Sequence, residues 1–313
     1  NRYDNCSTFR SKLKLLLNIS TPFKSKECMK KIHCLYILML VIATGMAQPD
    51  ILTQTRSIEE EGKRLYRSEM ASWYGTDLLL EHTPDRSRVG GYFSYTENNL
   101  AKCIFFSNDE HPSVIGSILF DSSYNVKTAQ MDFAERNFTQ KEYELYMIRN
   151  LTLNIVSNDT MFKLYEDMNF NLIPLIDTAA KEKKVYILTG PKKNGLVVFG
   201  NDYLLRFNEQ NKLLEKKQLH MNIIPIMFEA GSDTTEIVTM HSHMNETSDF
   251  ITPTDVCTLM LYEQFTNWAG HNVISKDYVS IWNCHKNQLA ILSRKSVKKI
   301  LKSEEKRKRK KKE

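Results

Sequence analysis

His241, Ser242 and His243, followed by Thr252, Pro253, Thr254 and Asp255, place two imidazoles and a carboxylate at a spacing that can bring them onto one metal ion. The run Thr235–Met240 ahead of the histidines (T-E-I-V-T-M) is of strand type, and residues two apart on a strand point to the same side. Asp255 then opens a helix. Thr252 stands as its N-cap and Pro253 at its first position, with Val256, Leu259, Met260 and Tyr262 as the apolar run behind them. Two histidines and one carboxylate fill three positions on a zinc ion and leave a fourth for water, the ligand count of a catalytic zinc rather than a structural one.

This H-x-H, then eight residues, then T-x-x-D resembles the motif of the JAMM (MPN, or JAB) metallopeptidases, which reads H-x-H, seven residues, S-x-x-D. The resemblance covers roughly the last third of the chain. It extends to the element order, since Val256–Phe265 is followed by two strand-like runs, His271–Ser275 and Tyr278–Trp282. It implies that His241, His243 and Asp255 are the zinc ligands and that Thr252 takes the serine's part in hydrogen-bonding the polarised carbonyl. It also implies a peptide or isopeptide substrate.

A zinc-bound water needs a carboxylate to accept its proton. The family supplies a glutamate just before a G-L-x-x-G-like segment. The matching stretch here, Gly195–Gly200, has Lys192 three residues ahead of its glycine, and lysine cannot serve. Glu182, at the start of the strand Val185–Leu188, and Glu229 and Glu236, close before the histidines, are the carboxylates to consider. Two functions follow. One is a zinc-dependent peptidase or isopeptidase acting through a metal-activated water; the other is a non-catalytic envelope protein that keeps the JAMM-like scaffold for binding.

His220 stands alone between Leu219 and Met221 and reads as structural, as does His271 near the following strand. Either approaches the metal residues if its element packs beside the H-x-H strand.

The elements that must position these groups predict an α+β fold, with antiparallel-rich sheets and flanking helices; the resemblance implies that its C-terminal part is JAMM/MPN-like. Gln54–Tyr74 has the periodicity of an amphipathic helix. Gly91–Tyr95, Lys102–Phe106 and Ser113–Phe120 read as a meander, with Tyr124–Phe133 as a further candidate strand. A helix opens at Thr139 with Glu142 in the capping-box position and runs to about Val156. Strands return at Val185–Leu188, Gly195–Phe199, Tyr203–Phe207 and Leu213–Leu219. Gly190–Gly195 lacks the G-K-[ST] ending of a phosphate loop and reads as a hairpin turn.

With 313 residues and 42% apolar content the chain can bury a full core. Its net charge of +6 lies mostly at the ends: Lys298–Lys312 holds ten basic and two acidic residues. The body is then near neutral or slightly acidic, so no nucleic-acid-binding face is implied. Met29–Lys31, the apolar run Cys34–Ala43 and the small residues up to Ala47 have the make-up of a secretory signal peptide. That predicts residues 1–28 as an upstream extension, 29–47 as the signal, and an exported, periplasmic or extracellular protein. Membrane contact is then expected only through the signal segment or the basic tail. Residues 48–158 and 159–295 are expected as two α+β regions, and 296–313 as a basic disordered tail. Cys103, Cys257 and Cys284 are an odd set, expected as buried thiols. The partner's identity and the oligomeric state are not encoded in any motif.

Overall fold

A 32-residue helix, α1 (Ile51–His82), underlies the whole arrangement. It is longer at both ends than its amphipathic stretch suggests, because no proline interrupts the run before Pro84. The computed structural model describes residues 51–83, 85–228, 236–244 and 247–310. The signal-like segment, the preceding extension and Glu229 lie outside the described residues.

The first sheet is an antiparallel meander in the order β1 (Val89–Glu97), β2 (Leu100–Ser107), β3 (Val114–Phe120), β4 (Gln130–Asp132). Helix α2 (Gln140–Asn158) follows, opened by the expected capping box between Thr139 and Glu142. A second antiparallel sheet has the order β5 (Met168–Asp177), β6 (Glu182–Pro191), β8 (Tyr203–Asn208), β9 (Leu213–Gln218). The strand between them in sequence, β7 (Leu196–Gly200), leaves this sheet and pairs with β10 (Ile223–Met227), so the turn after β6 does not close the expected hairpin.

The last sheet carries the motif. Strand β11 (Ile237–Ser242) runs parallel to β12 (Trp268–Ile274), and β13 (Tyr278–Asn283) and β14 (Gln288–Ser293) continue it antiparallel. Parallel neighbours need a crossover, and helix α3 (Pro253–Tyr262) supplies it. Every residue of α3 from Thr254 to Leu261 is buried, as befits a helix whose apolar residues cover most of its circumference.

Helix α1 packs directly on α3 at Gly62. A Cβ there would fall 2.5 Å from Val256 Cγ1 and 3.1 Å from the Pro253 carbonyl. Gly62→Ala is expected to destabilise the chain by about 1–3 kcal/mol through overpacking, and to push α3, with Asp255, off its seat. Urea unfolding at neutral pH checks this; an unchanged midpoint would mean that the helices separate without strain.

Segments before and after Asp159, expected as separate regions, share one core. Leu65, Leu78 and Phe105 cluster there with Ile173, Tyr186, Cys257 and Leu261, and the described residues form one compact unit. The three cysteines are buried thiols. Residues 296–310, expected as part of a disordered tail, belong to helix α4 (Arg294–Lys310). Lysine, arginine and glutamate are good helix formers, and neither glycine nor proline breaks the run.

One buried carboxyl stands apart from the ion pairs. Glu69 is 3% exposed, accepts a hydrogen bond from Asn171 Nδ2 (3.0 Å), and has no ion pair among the described residues. Burial pushes its carboxyl up from 4.5 to about 7, against the smaller lowering effect of Asn171. The folded state therefore holds this proton more tightly than the unfolded chain, and stability falls as pH rises from 4.5 to about 7. Glu69→Gln is expected to be more stable than the parent at pH 8 by up to about 3 kcal/mol, the two converging below pH 4.5. Urea titrations at the two pH values test it, and a parent no less stable than the variant at pH 8 would refute it.

Candidate metal centre

The register of β11 and β12 places His241 opposite Val273 and Thr239 opposite His271. His243 follows immediately, its backbone N–H donating to the Ile274 carbonyl (2.9 Å), so the strand direction is kept through both histidines. Across from them, the α3 capping box orients Asp255. The Thr252 N–H and hydroxyl both donate to Asp255 Oδ2 (2.9 Å each), and the Asp255 N–H donates back to Thr252 Oγ1 (3.1 Å). The other oxygen, Oδ1, is buried with no hydrogen-bond partner.

A third histidine completes the group. His220 follows β9, where the Leu219 N–H donates to the Asp202 carbonyl (2.8 Å). Gly200 makes room for it: at φ +88° it sits in left-handed backbone, and a Cβ there would lie 2.2 Å from the Asn222 carbonyl oxygen and 3.4 Å from His220 Cβ.

The side-chain atoms converge closely. His220 Nε2 is 3.2 Å from His243 Nε2, which is 3.1 Å from His241 Nε2. The Asp255 carboxylate lies 3.3 Å from His220 Nε2, 3.6 Å from His243 Nε2 and 3.9 Å from His241 Nε2. Four ligands placed tetrahedrally at zinc-to-nitrogen or zinc-to-oxygen distances are about 3.3–3.4 Å from one another. These separations bracket that edge, and all four groups offer a ligand atom within 4.8 Å of the others. Three imidazole nitrogens and the Asp255 carboxylate converging on one point fit a cation, with Oδ2 toward His220 and His243 and the partnerless Oδ1 toward His241.

Around this group, second partners hold the rings. His243 Nδ1 is 3.2 Å from the Ser248 carbonyl, and His241 Nδ1 is 2.8 Å from His271 Nε2. His271 Nδ1 in turn meets Thr239 Oγ1 at 2.7 Å. His220 Nδ1 lies 3.4 Å from Asp202 Oδ2, at ion-pair distance but without hydrogen-bond alignment. Each ring thus turns Nε2 to the centre and Nδ1 outward, the orientation metal-ligating histidines take from their outer partners.

The electrostatics divide the histidines. Burial opposes a charged His220, yet Asp255 and Asp202 outweigh it and raise the imidazole to about 10. Burial keeps the others neutral, holding His243 down to about 4 and His271 to about 3, with His241 also lowered. Burial would raise Asp255 as well, but the charged His220 beside it, first among the lowering causes, holds it well below the usual carboxylate range. In the metal-free state the His220 proton neutralises Asp255, and a divalent ion at this point would displace it.

Of the residues expected from sequence, His241, His243 and Asp255 come together. Thr252 is buried, and its hydroxyl is committed to Asp255 rather than facing the cavity beside the histidines. Glu182 does not join the site, which corrects its reading as a proton acceptor. It is bound to Arg206, at the opposite end of β6 from Thr189 and Asp202, roughly 23 Å of strand away. Glu236 is exposed and 3.0 Å from His285. His220 and His271, read as structural from sequence, belong to the centre: the first faces the shared point, and the second braces His241.

A cavity of about 220 Å³ opens on His220, His241 and His243, with Met221, Met244 and Thr247 on its walls. Among the described residues, no carboxylate lines it.

Fold and site together define an α+β protein with a buried cluster of three histidines and an aspartate that could hold a metal ion. No family model, curated protein or solved structure matches the chain, so its likeness to the JAMM metallopeptidases stands on the motif residues alone.

Proposed function

We propose that this is a zinc-binding protein in which His220, His241, His243 and Asp255 hold one ion. We further infer that it is exported and uses a JAMM-like scaffold for binding rather than hydrolysis. The observation that carries this reading is the fourth ligand. His220 occupies the direction that a three-ligand site would leave to water, and a four-coordinate zinc with protein ligands alone is the arrangement of structural sites. Three nitrogens and one oxygen suit zinc among the divalent metals, although nickel, copper and iron also accept imidazole.

The peptidase reading comes second, supported by the cavity reaching three of the ligands. Zinc bound there would supply Lewis acidity and a more acidic water. The chain's own residues bind and orient: the capping box holds Asp255, His271 braces His241, and the Ser248 carbonyl fixes His243. Lys192 at the position of the family's glutamate weighs against proton transfer.

Elemental analysis of the purified chain beside a His241→Ala/His243→Ala double variant tests the proposal. Near-stoichiometric zinc that the variant lacks is the expected result; no metal in either would remove it. A peptidase screen on the zinc-loaded chain then separates the two readings, with hydrolysis lost in the double variant favouring the second.

A further inference from the structure

The β7–β10 ribbon has the histidine cavity at one end, by Gly200 and Ile224, and a larger cavity at the other, by Leu196 and Phe228. The larger one holds about 660 Å³ and shares no lining residue with the first. That volume is in the range of sites for small organic ligands.

Its walls are aromatic and set at steep angles. Tyr262 meets Trp73 at 5.7 Å and 78°, Phe228 at 6.3 Å and 69°, and Phe265 at 6.4 Å and 63°. Aromatic rings carry an electron-rich face, the feature that attracts organic cations.

The charges have the matching sign. Asp77 lies exposed on the α1 side of the cavity, while the lining cation, Lys193, is paired to Asp167. Beneath the lining sits Glu69, held by the lining residue Asn171 and without a cation among the described residues. Two further lining residues, Tyr92 and Tyr262, feel its charge: burial first, and Glu69 next, push both hydroxyls up to about 12. An uncompensated buried carboxylate is unfavourable until a positive charge approaches it.

We propose that this cavity binds a small organic cation, an ammonium group on an apolar body, with Trp73, Phe228 and Tyr262 as the ring faces and Asp77 and Glu69 as the opposing charges. An anion would meet two carboxylates and a lysine already paired. A neutral ligand would leave Glu69 uncompensated. The proposal is independent of the metal centre.

Calorimetric titration of the full chain at pH 8 compares acetylcholine with its neutral carbon isostere, 3,3-dimethylbutyl acetate. Acetylcholine is expected to bind about tenfold more tightly or better, and Trp73→Ala and Glu69→Gln are each expected to weaken it about tenfold. Glu69→Gln, which keeps shape and removes charge, leaves the neutral ester's affinity unchanged. Equal affinities for the two esters, indifference of acetylcholine to Glu69→Gln, or no heat at millimolar ligand would each overturn the proposal. Circular dichroism and zinc content, measured on the same variants, verify that the fold and the metal centre are intact.

Discussion

Chelation of the zinc-loaded chain is expected to lower its melting temperature by about 10 °C, and Asp255→Asn to abolish the difference. The magnitude follows from mass action: free zinc at a thousand times its dissociation constant stabilises the folded state by about 4 kcal/mol. In a unit of this size each kcal/mol moves the melting temperature by about 2–4 °C. Asp255 is chosen because it supplies the cluster's only negative charge, lies at 1% exposure and carries an oxygen without a hydrogen-bond partner. Asparagine keeps the shape and the Thr252 contacts in part but removes the charge that a divalent ion requires. Differential scanning calorimetry with and without chelator, on both proteins, gives the answer. Coincident melting curves for the parent would mean that the four groups hold no stabilising ion.

Glu142→Gln is expected to destabilise the chain by about 3–5 kcal/mol at pH 7, the range for removing one partner of a buried ion pair. The side chain is 0% exposed and accepts from Arg136 Nη1 (2.7 Å) and Nη2 (2.9 Å), the Thr139 N–H (2.8 Å) and Tyr95 Oη (3.2 Å), with Lys102 Nζ at 3.6 Å. Burial alone would raise its pKa, but Arg136 and the Thr139 N–H outweigh burial and bring it down to about 2. A depressed carboxylate stabilises the fold above its unfolded value of 4.5 and loses that contribution as pH falls toward about 2. The gap between parent and variant therefore narrows over that window. Urea unfolding at pH 7 and pH 3 measures it, and a gap independent of pH would assign the loss to packing instead of charge.

Both predictions concern capping boxes; the Thr139 box, and the N-cap of the Thr252 box, were legible from sequence. Thr139 with Glu142 and Thr252 with Asp255 act over three residues, and Pro253 at a first helical position marks the start of α3. The H-x-H on a strand was equally local, since alternation alone sends His241 and His243 to one side. These short-range rules determined the starts of α2 and α3, most strands and three of the four convergent ligands.

The remaining features depend on contacts between distant parts of the chain. His220 is 21 residues before His241 by number, and the loop that carries it reaches the centre only because Gly200 admits the Asn222 backbone. His271 braces His241 because β12 pairs in parallel with β11 after the α3 crossover. Glu182 was a reasonable acceptor by position, yet the second sheet carries it to the opposite end of β6. Pairing of β7 with β10 and the joint core across Asp159 are likewise long-range. Periodicity and capping report what a residue does to its neighbours within a few positions; which loops meet is decided by how the sheets and α1 bury their apolar faces together, and that geometry exists only in the folded chain.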